Sequence, residues 1–342
     1  MHSRDLIEQY KGYVQEWRRY FHKHPELSNE EFETTKTLAK ELESMGVEVH
    51  VDTERGIGLV GIIHGDKTGK AIALRADIDA LPVHEHNTVD YKSETEGKMH
   101  ACGHDGHMAI LLGAAKMLMS MKDRIEGDVY LVFQPAEETG AGAPDFIKFG
   151  DWYDKIDAIF GGHVWIDLPA GLISVEEGPR MAASSQITIN VKGKQGHGAQ
   201  PHQAIDAIVV ASAIVMNLQT VVSRNVSALD SLVLTIGNIH SGSEWNVIPG
   251  EAKMGGTIRF FDPDQEEYYV ESIRRVVEHT AEAYGATATL EYVKKVPPTI
   301  NDPASSELAE RVVIDTLGKD KLSKMRKVMP GEDFAWYLQD KP

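Results

Sequence analysis

Apolar positions in the first 45 residues recur at helical spacing on either side of a break at His24-Pro25, which predicts two helices. Ser28, with Glu31 three residues later, makes a capping box to open the second. The pattern then shortens to apolar runs that read as strands: VEVHV (47–51), IGLVGII (57–63) and AIALRAD (71–77). An Ala-, Leu- and Met-rich stretch at 105–120 predicts a helix. VYLVF (129–133) is an uninterrupted apolar run, the mark of a strand buried on both faces, and DAIFGGH (157–163) is a further strand ending in glycines and a histidine. Strands alternating with helices predict an α/β fold, a mixed sheet covered by helices on both sides.

The pattern changes near Glu177-Gly178-Pro179. From there it runs strand (185–193), helix (203–223), strand (231–239), strand (252–261), helix (264–284), strand (286–293), with Asp262-Pro263 as the N-terminal signal of the second helix. This β-α-β-β-α-β order is that of a ferredoxin-like α+β unit. It closes at Val296-Pro297-Pro298, after which helical patterning returns. The expected division is therefore 1–178, an inserted unit at 179–296, and 297–342 returning to the first domain. The longest uncharged run, 207–223, is interrupted by Ser, Asn, Gln and Thr and reads as a buried helix rather than a bilayer span. The N-terminus lacks the apolar stretch of a signal peptide.

Composition narrows the chemistry. With 35 basic and 52 acidic side chains among 342 residues the formal charge is −17, which argues against nucleic acid or an anionic membrane as principal partner. The single cysteine excludes an internal disulfide and points to the reducing cytoplasm. The 15 histidines are clustered: His84, His86, His100, His104 and His107 fall within 24 residues.

The densest segment is Met99-His100-Ala101-Cys102-Gly103-His104-Asp105-Gly106-His107, a Cys-x-His pair on a glycine-containing loop ahead of a helix. Such a pair offers a thiolate and an imidazole to a metal, and equally describes a small buried cysteine beside surface histidines. Three other clusters shift the balance. Arg75-Ala76-Asp77-Ile78-Asp79 ends one strand, Glu137-Glu138 follows another, and His163 ends a third. Ligands of open α/β sheets gather beyond the carboxyl ends of strands, so these segments deliver acids and imidazole to one edge. Adjacent carboxylates suit a divided task, one ligating a metal and the other taking a proton from water.

Seven strings run in order along most of the chain: RADIDALP (75–82), MHACGHDGHMA (99–109), VFQPAEETGAGA (132–143), GHGAQPH (196–202), NVIPGEA (246–252), GGTIRFF (255–261) and PGEDFAWYL (330–338). Together they resemble the hippurate-hydrolase and auxin-conjugate-hydrolase branch of the aminoacylase/glutamate-carboxypeptidase metallopeptidases. The resemblance implies a dimetal catalytic domain with an inserted lid that also forms a homodimer. It implies Cys102 as the bridging ligand of two divalent ions (zinc, manganese, cobalt or nickel), His104 and His163 on one ion, Glu138 on the other, and Glu137 as general base and acid. Asp77 resembles a carboxylate that orients a ligand imidazole. From the lid, His197 resembles the group that steadies the oxyanion in a partner subunit's site, and Asn246 and Arg259 resemble substrate contacts. His84, His86, His100 and His107 receive no specific role.

The family supplies one further histidine ligand some tens of residues beyond PGEDF, whereas no histidine follows His279 here. The expectation is that the second part of the catalytic domain is incomplete and that the metal held by Glu138 lacks a ligand. The activity so implied is hydrolysis of N-acyl or N-aroyl amino acids to a carboxylate and a free amino acid. A dipeptidase or an N-acetyl-diaminopimelate-type deacetylase is the alternative within the family, and a non-catalytic metal-binding dimer is the alternative outside it.

Overall fold

In the computed structural model, which describes residues 3–342, the N-terminal pattern forms α1 (Ser3–Lys23) and α2 (Phe32–Ser44). The capping box expected to open α2 does not form. Glu31 precedes the helix but makes no side-chain cap, and Ser28 donates instead to Asp79 Oδ2 at 2.6 Å. The free amides of α2 go to the carboxylate of Glu26, which accepts from Glu33 N at 3.2 Å and Thr34 N at 2.7 Å. A charged acceptor bonds these amides and also complements the positive end of the helix dipole, so it displaces a hydroxyl cap.

There follow β1 (Glu48–Val51), β2 (Leu59–His64), β3 (Ile72–Asp77), α3 (His104–Met119), β4 (Asp128–Gln134), the short helices α4 (Gly142–Phe146) and α5 (Trp152–Lys155), and β5 (Ala158–Gly161). The sheet has the order β1-β2-β4-β3-β5. β3 runs parallel to β4 and β5, while β2 is antiparallel to β1 and β4, so the sheet is mixed. β4 shows why a continuous apolar run was needed. Val129, Leu131 and Phe133 enter a core with Phe21, Leu38, Met108 and Leu112 from α1, α2 and α3. Tyr130 and Val132 enter a second core with Phe146, Trp152 and Tyr153 on the opposite face. Each fully buried aliphatic or aromatic side chain contributes about 1.5–3 kcal/mol relative to exposure, so burial on both faces fixes the strand's register.

The chain continues with β6 (Gly178–Met181), β7 (Ser184–Lys192), β8 (Gly196–His197), α6 (Ala207–Thr220), β9 (Leu232–Ser241), β10 (Val247–Ile248), β11 (Glu251–Phe260), α7 (Glu266–Ala283), β12 (Thr287–Val296), β13 (Thr299–Asn301) and α8 (Pro303–Thr316). The antiparallel sheet β12-β7-β11-β9 carries α6 and α7 over one face, with Ile187, Ile189, Ile214, Leu218, Ile273 and Val277 in its core. This is the ferredoxin-like arrangement expected from the element order. Asp206 caps α6 by accepting from Ile208 N at 2.9 Å. The expectation that 207–223 is buried holds for one face only: Val210, Ala211 and Ile214 are buried, but Ile208 and Val209 are about half exposed and Met216 is 70% exposed. By length and composition alone, 207–225 would also cross a membrane.

By internal contacts the chain forms two compact units, one of residues to 178 with 301–326 and 333–342, the other of 179–300 with 327–332. The second boundary thus falls after 300, against 296 from the sequence. Residues 327–332 join the inserted unit because Ala182 N donates to Val328 O at 3.1 Å and Val328 N to Arg180 O at 2.9 Å. The helical patterning expected over 299–342 is realised in α8 and short 3₁₀ turns, of which Asp333–Gln339 is the longest.

Candidate metal centre

Because β3, β4 and β5 are parallel, their carboxyl ends share one edge, with Asp77 opposite Gln134 and Arg75 opposite Gly161. Beyond those ends lie Asp79, the turn carrying Glu137 and Glu138, and His163. The loop before α3 adds Cys102 and His104. Gly103 between them is left-handed (φ 98°, ψ 12°), and a Cβ there would lie 2.3 Å from Val164 Cγ2. Glycine is therefore needed both for its backbone and for its lack of a side chain.

Cys102, His104 and His163 each bring a donor atom within 4.8 Å of the others, and so do His104, Glu137 and Glu138. Cys102 Sγ is 3.4 Å from His163 Nε2. His104 is fully buried, and its Nδ1 faces the Asp79 carbonyl at 2.8 Å and Asp79 Oδ1 at 3.2 Å. Those acceptors place the ring proton on Nδ1 and leave Nε2 with its lone pair. Nε2 and Glu138 Oε1 lie 3.9 Å apart, both buried and both without a hydrogen-bond partner. Buried polar atoms are nearly always paired, and a cation between an imidazole lone pair and a carboxylate oxygen would satisfy both. The donor set therefore fits metal ions.

The electrostatics agree. Burial opposes a charge on His104, but Asp77 and Asp79 outweigh it and raise its pKa well above the usual value. Burial raises the Cys102 thiol, with Glu138 and Glu137 adding to the effect and His104 opposing it. Burial, then Asp79 and Asp77 against His104, raises Glu138. These shifts mark a pocket that favours added positive charge, whether a proton or a metal ion.

Asp77 bonds to His107, not to a donor on the metal side: its Oδ1 is 2.6 Å from His107 Nδ1, while its other oxygen stays 3.6 Å from His104 Nε2. Asp79 is the carboxylate that orients His104. His107 Nε2 accepts from Val164 N at 3.0 Å, so both its nitrogens are engaged and it steadies the segment that carries His163. No motif assigns His107 a role, although its spacing three residues after His104 on a helix puts both rings on one face. Arg75 is a second such residue. Its guanidinium donates to Asp77 Oδ2 at 2.7 Å, Gln134 Oε1 at 2.9 Å and Asp333 Oδ1 at 2.9 Å. Asp333, from the GEDF string, also accepts from Gln134 Nε2 and Ala143 N, each at 2.9 Å, and its own amide donates to Glu137 Oε1 at 3.3 Å.

The remaining expected residues belong to the inserted unit. His197 and Asn246 are exposed on the paired strands β8 and β10 and the turn before β10, joined by Gly198 N to Asn246 O at 2.8 Å. His197 Nδ1 accepts from Ala199 N at 3.1 Å, which leaves the proton of the neutral ring on Nε2. Arg259 is part-buried on β11, where burial lowers its pKa.

The fold and donor set define a class of metallohydrolase, and comparison with known proteins gives the family. Residues 73–342 match the model of Peptidase family M20/M25/M40. The chain is 42% identical over 327 residues to N-acetyl-L-cysteine deacetylase of Bacillus subtilis, covering 95% of this chain and 77% of that protein. It is 39% identical over 298 residues to N-acyl-L-amino acid amidohydrolase of Geobacillus stearothermophilus, covering 86% and 80%. Among solved structures, a dinuclear metal binding peptidase of the M20 family from Bacillus subtilis superposes with a TM-score of 0.88 at 36% identity, covering 98% of this chain and 87% of that one. The chain belongs to the M20/M25/M40 peptidase family, and with it to the hydrolases of amide bonds.

Proposed function

We propose that the protein is a metal-dependent amidohydrolase that cleaves the amide bond of N-acyl or N-aroyl amino acids. The observation that carries this reading is the unpaired, buried couple of His104 Nε2 and Glu138 Oε1 beside a second carboxylate, Glu137, on the same turn. Cys102, His104, His163 and Glu138 would hold two divalent ions, and a thiolate with two imidazoles suits zinc. Bound there, the ions supply positive charge that polarises the amide carbonyl and lowers the pKa of a water molecule.

The chain's own residues then divide the work. Glu137 takes a proton from the attacking water as oxygen bonds to the carbonyl carbon, and returns it to the leaving nitrogen as the C–N bond breaks. Glu137 needs no large movement between these acts, because its Oε1 is held by the Asp333 amide. His197, with its proton on Nε2, is the donor proposed to steady the oxyanion in the site of a second copy. Arg259 takes the substrate carboxylate, a role supported by a part-buried guanidinium for which no ion pair is found among the described residues. Asn246 adds a substrate contact from the same unit. The homodimer is proposed to form through the inserted unit, where α6 and the edge strand β9 leave Ile208, Val209, Met216 and Ile239 exposed. The single cysteine, kept as a thiolate donor, suits the cytoplasm.

The test is Glu137→Gln. It should retain metal while hydrolysis of N-acetyl and N-benzoyl amino acids falls by about 10²–10⁴-fold, the usual worth of a positioned general base. Undiminished hydrolysis would remove Glu137 from the chemistry. A panel of acyl-amino acids, dipeptides and N-acetylated diamino acids assigns the substrate, and faster turnover of dipeptides would overturn the N-acyl assignment.

A further inference from the structure

Glu31 is fully buried, and nothing in the chemistry above uses it. It stands in the turn before α2, where its sequence position suits a helix cap, yet its side chain turns inward. Oε1 accepts from the Ala136 amide at 2.8 Å, and Oε2 has no partner. Ala136 is the residue that swings the chain off β4 and into the turn bearing Glu137 and Glu138, and it does so in the left-handed conformation (φ 59°, ψ 36°). A left-handed alanine persists only where its surroundings hold it.

Asn29 is the only other non-glycine residue with positive φ among the described residues, at 68°, and it lies two positions before Glu31. Burial pushes the Glu31 carboxyl up to about 7, while its own amide and those of Ala136 and Asn29 draw it down. A parallel hold acts on the other end of the turn. Ser28 Oγ donates to Asp79 Oδ2 at 2.6 Å, and the same oxygen accepts from Glu138 N at 3.0 Å. Both members of the unformed capping box, Ser28 and Glu31, are thus spent on the turn from 136 to 138.

We propose that Glu31 is a positioning residue that holds the left-handed Ala136 through its amide and thereby aims Glu137 and Glu138. The inference rests on the roles given to those two carboxylates above. It says what the carboxyl must provide, which is a hydrogen-bond acceptor at Ala136 N.

Two variants of similar size separate acceptor from charge. Glu31→Gln keeps an oxygen acceptor, whereas Glu31→Met keeps the volume and has none. In the metal-loaded enzyme, E31M should lower kcat about 10–100-fold with KM within about twofold, since a misaimed base costs turnover more than binding. It should also release metal to a chelator about 10-fold more readily, because Glu138 shares the turn. E31Q should stay within about threefold of the parent in both. Ala136→Gly, which adopts the left-handed conformation freely, should recover part of the kcat lost in E31M. A loss of packing alone would not respond to that change.

Equal behaviour of E31Q and E31M, or no recovery by A136G, overturns the proposal. Where E31M does not fold, hydrogen exchange at the Ala136 amide of the parent enzyme decides: protection like that of the β4 ladder is expected, and exchange as fast as an open amide overturns it. Glu137→Gln run in parallel keeps the two assignments apart. If that variant stays active the base is misassigned, while metal release from E31M still tests the hold on the turn.

Discussion

Gly103→Ala should cripple metal binding although it adds one methyl group to a residue that touches no substrate. Two costs meet at this position. An alanine in the left-handed conformation costs about 1–2 kcal/mol before any contact is counted. The new Cβ would also lie 2.3 Å from Val164 Cγ2, where ordinary contact begins near 3.4 Å, so either the Val164 side chain turns or the two segments part by about 1 Å. The half-exposed Val164 side chain can turn its methyl away in part, but its backbone is held. Its amide bonds His107 Nε2 at 3.0 Å and its carbonyl faces His163 Nδ1 at 2.5 Å, so moving it moves both rings. Cys102 and His104 flank Gly103 itself, and metal ligands tolerate about 0.2 Å of misplacement. Any share of that 1 Å passed on to Cys102 and His163, rather than taken up by the Val164 side chain, exceeds this tolerance by up to about fivefold. The expected result is a loss of metal affinity of about 10–100-fold, read by competition with a chelator while circular dichroism verifies the fold. Val164→Ala in the same chain removes the clashing Cγ2 and should restore the steric share, leaving the backbone share. Metal retention by G103A equal to the parent's would refute this reasoning, as would a double variant no better than G103A.

Two further outcomes follow from residues outside the ligand set. The Glu31 carboxyl, raised from 4.5 to about 7 by burial, is a group whose folded pKa lies above its unfolded one. Its contribution to stability is present below the unfolded value and is lost as pH rises through 7. With metal stripped, E31Q should therefore gain on the parent by about 3 kcal/mol between pH 4.5 and 7.5 in urea unfolding, and a pH-independent difference contradicts the burial of a titrating carboxyl. Met216→Glu puts a charge on the exposed apolar face of α6, where Met216 is 70% exposed. If that face joins two copies, the variant should sediment at half the parent's mass with its fold intact. An unchanged mass places the contact elsewhere.

What the sequence disclosed depended on whether the cause was local. The run VYLVF could be read as a strand buried twice over, because period-two burial on both faces leaves no polar position, and β4 sends alternate residues into two cores. Cys102, His104, Glu137, Glu138 and His163 could be gathered on paper because they follow strands, and parallel strands end at one edge. The partners of these donors were less visible. Asp77 is the last residue of β3 and Asp79 lies just beyond it, so no strand periodicity announces that Asp77 meets His107 while Asp79 meets His104. The Ser28–Glu31 box satisfied a local rule and failed because both side chains had stronger claims 51 and 105 residues away, at Asp79 and Ala136. Membership of 327–332 in the inserted unit, through Val328, rests on pairing with Arg180 and Ala182, which no local pattern announces.

Asp333 has a consequence in time as well as in space. Its buried carboxylate bonds Arg75, which stands 258 residues earlier in the chain. A ribosome adding about 5–20 residues per second needs roughly 13–50 s to travel that distance. Throughout that interval the sheet edge exists without the anchor for Arg75 and Gln134, and without the amide that holds Glu137. The inserted unit is synthesised in the gap, and most of its core can close on its own. The same late segment brings Phe334 and Tyr337 into the core beneath Tyr130 and Val132, so one face of the sheet and the hold on Glu137 are completed together, at the end of synthesis.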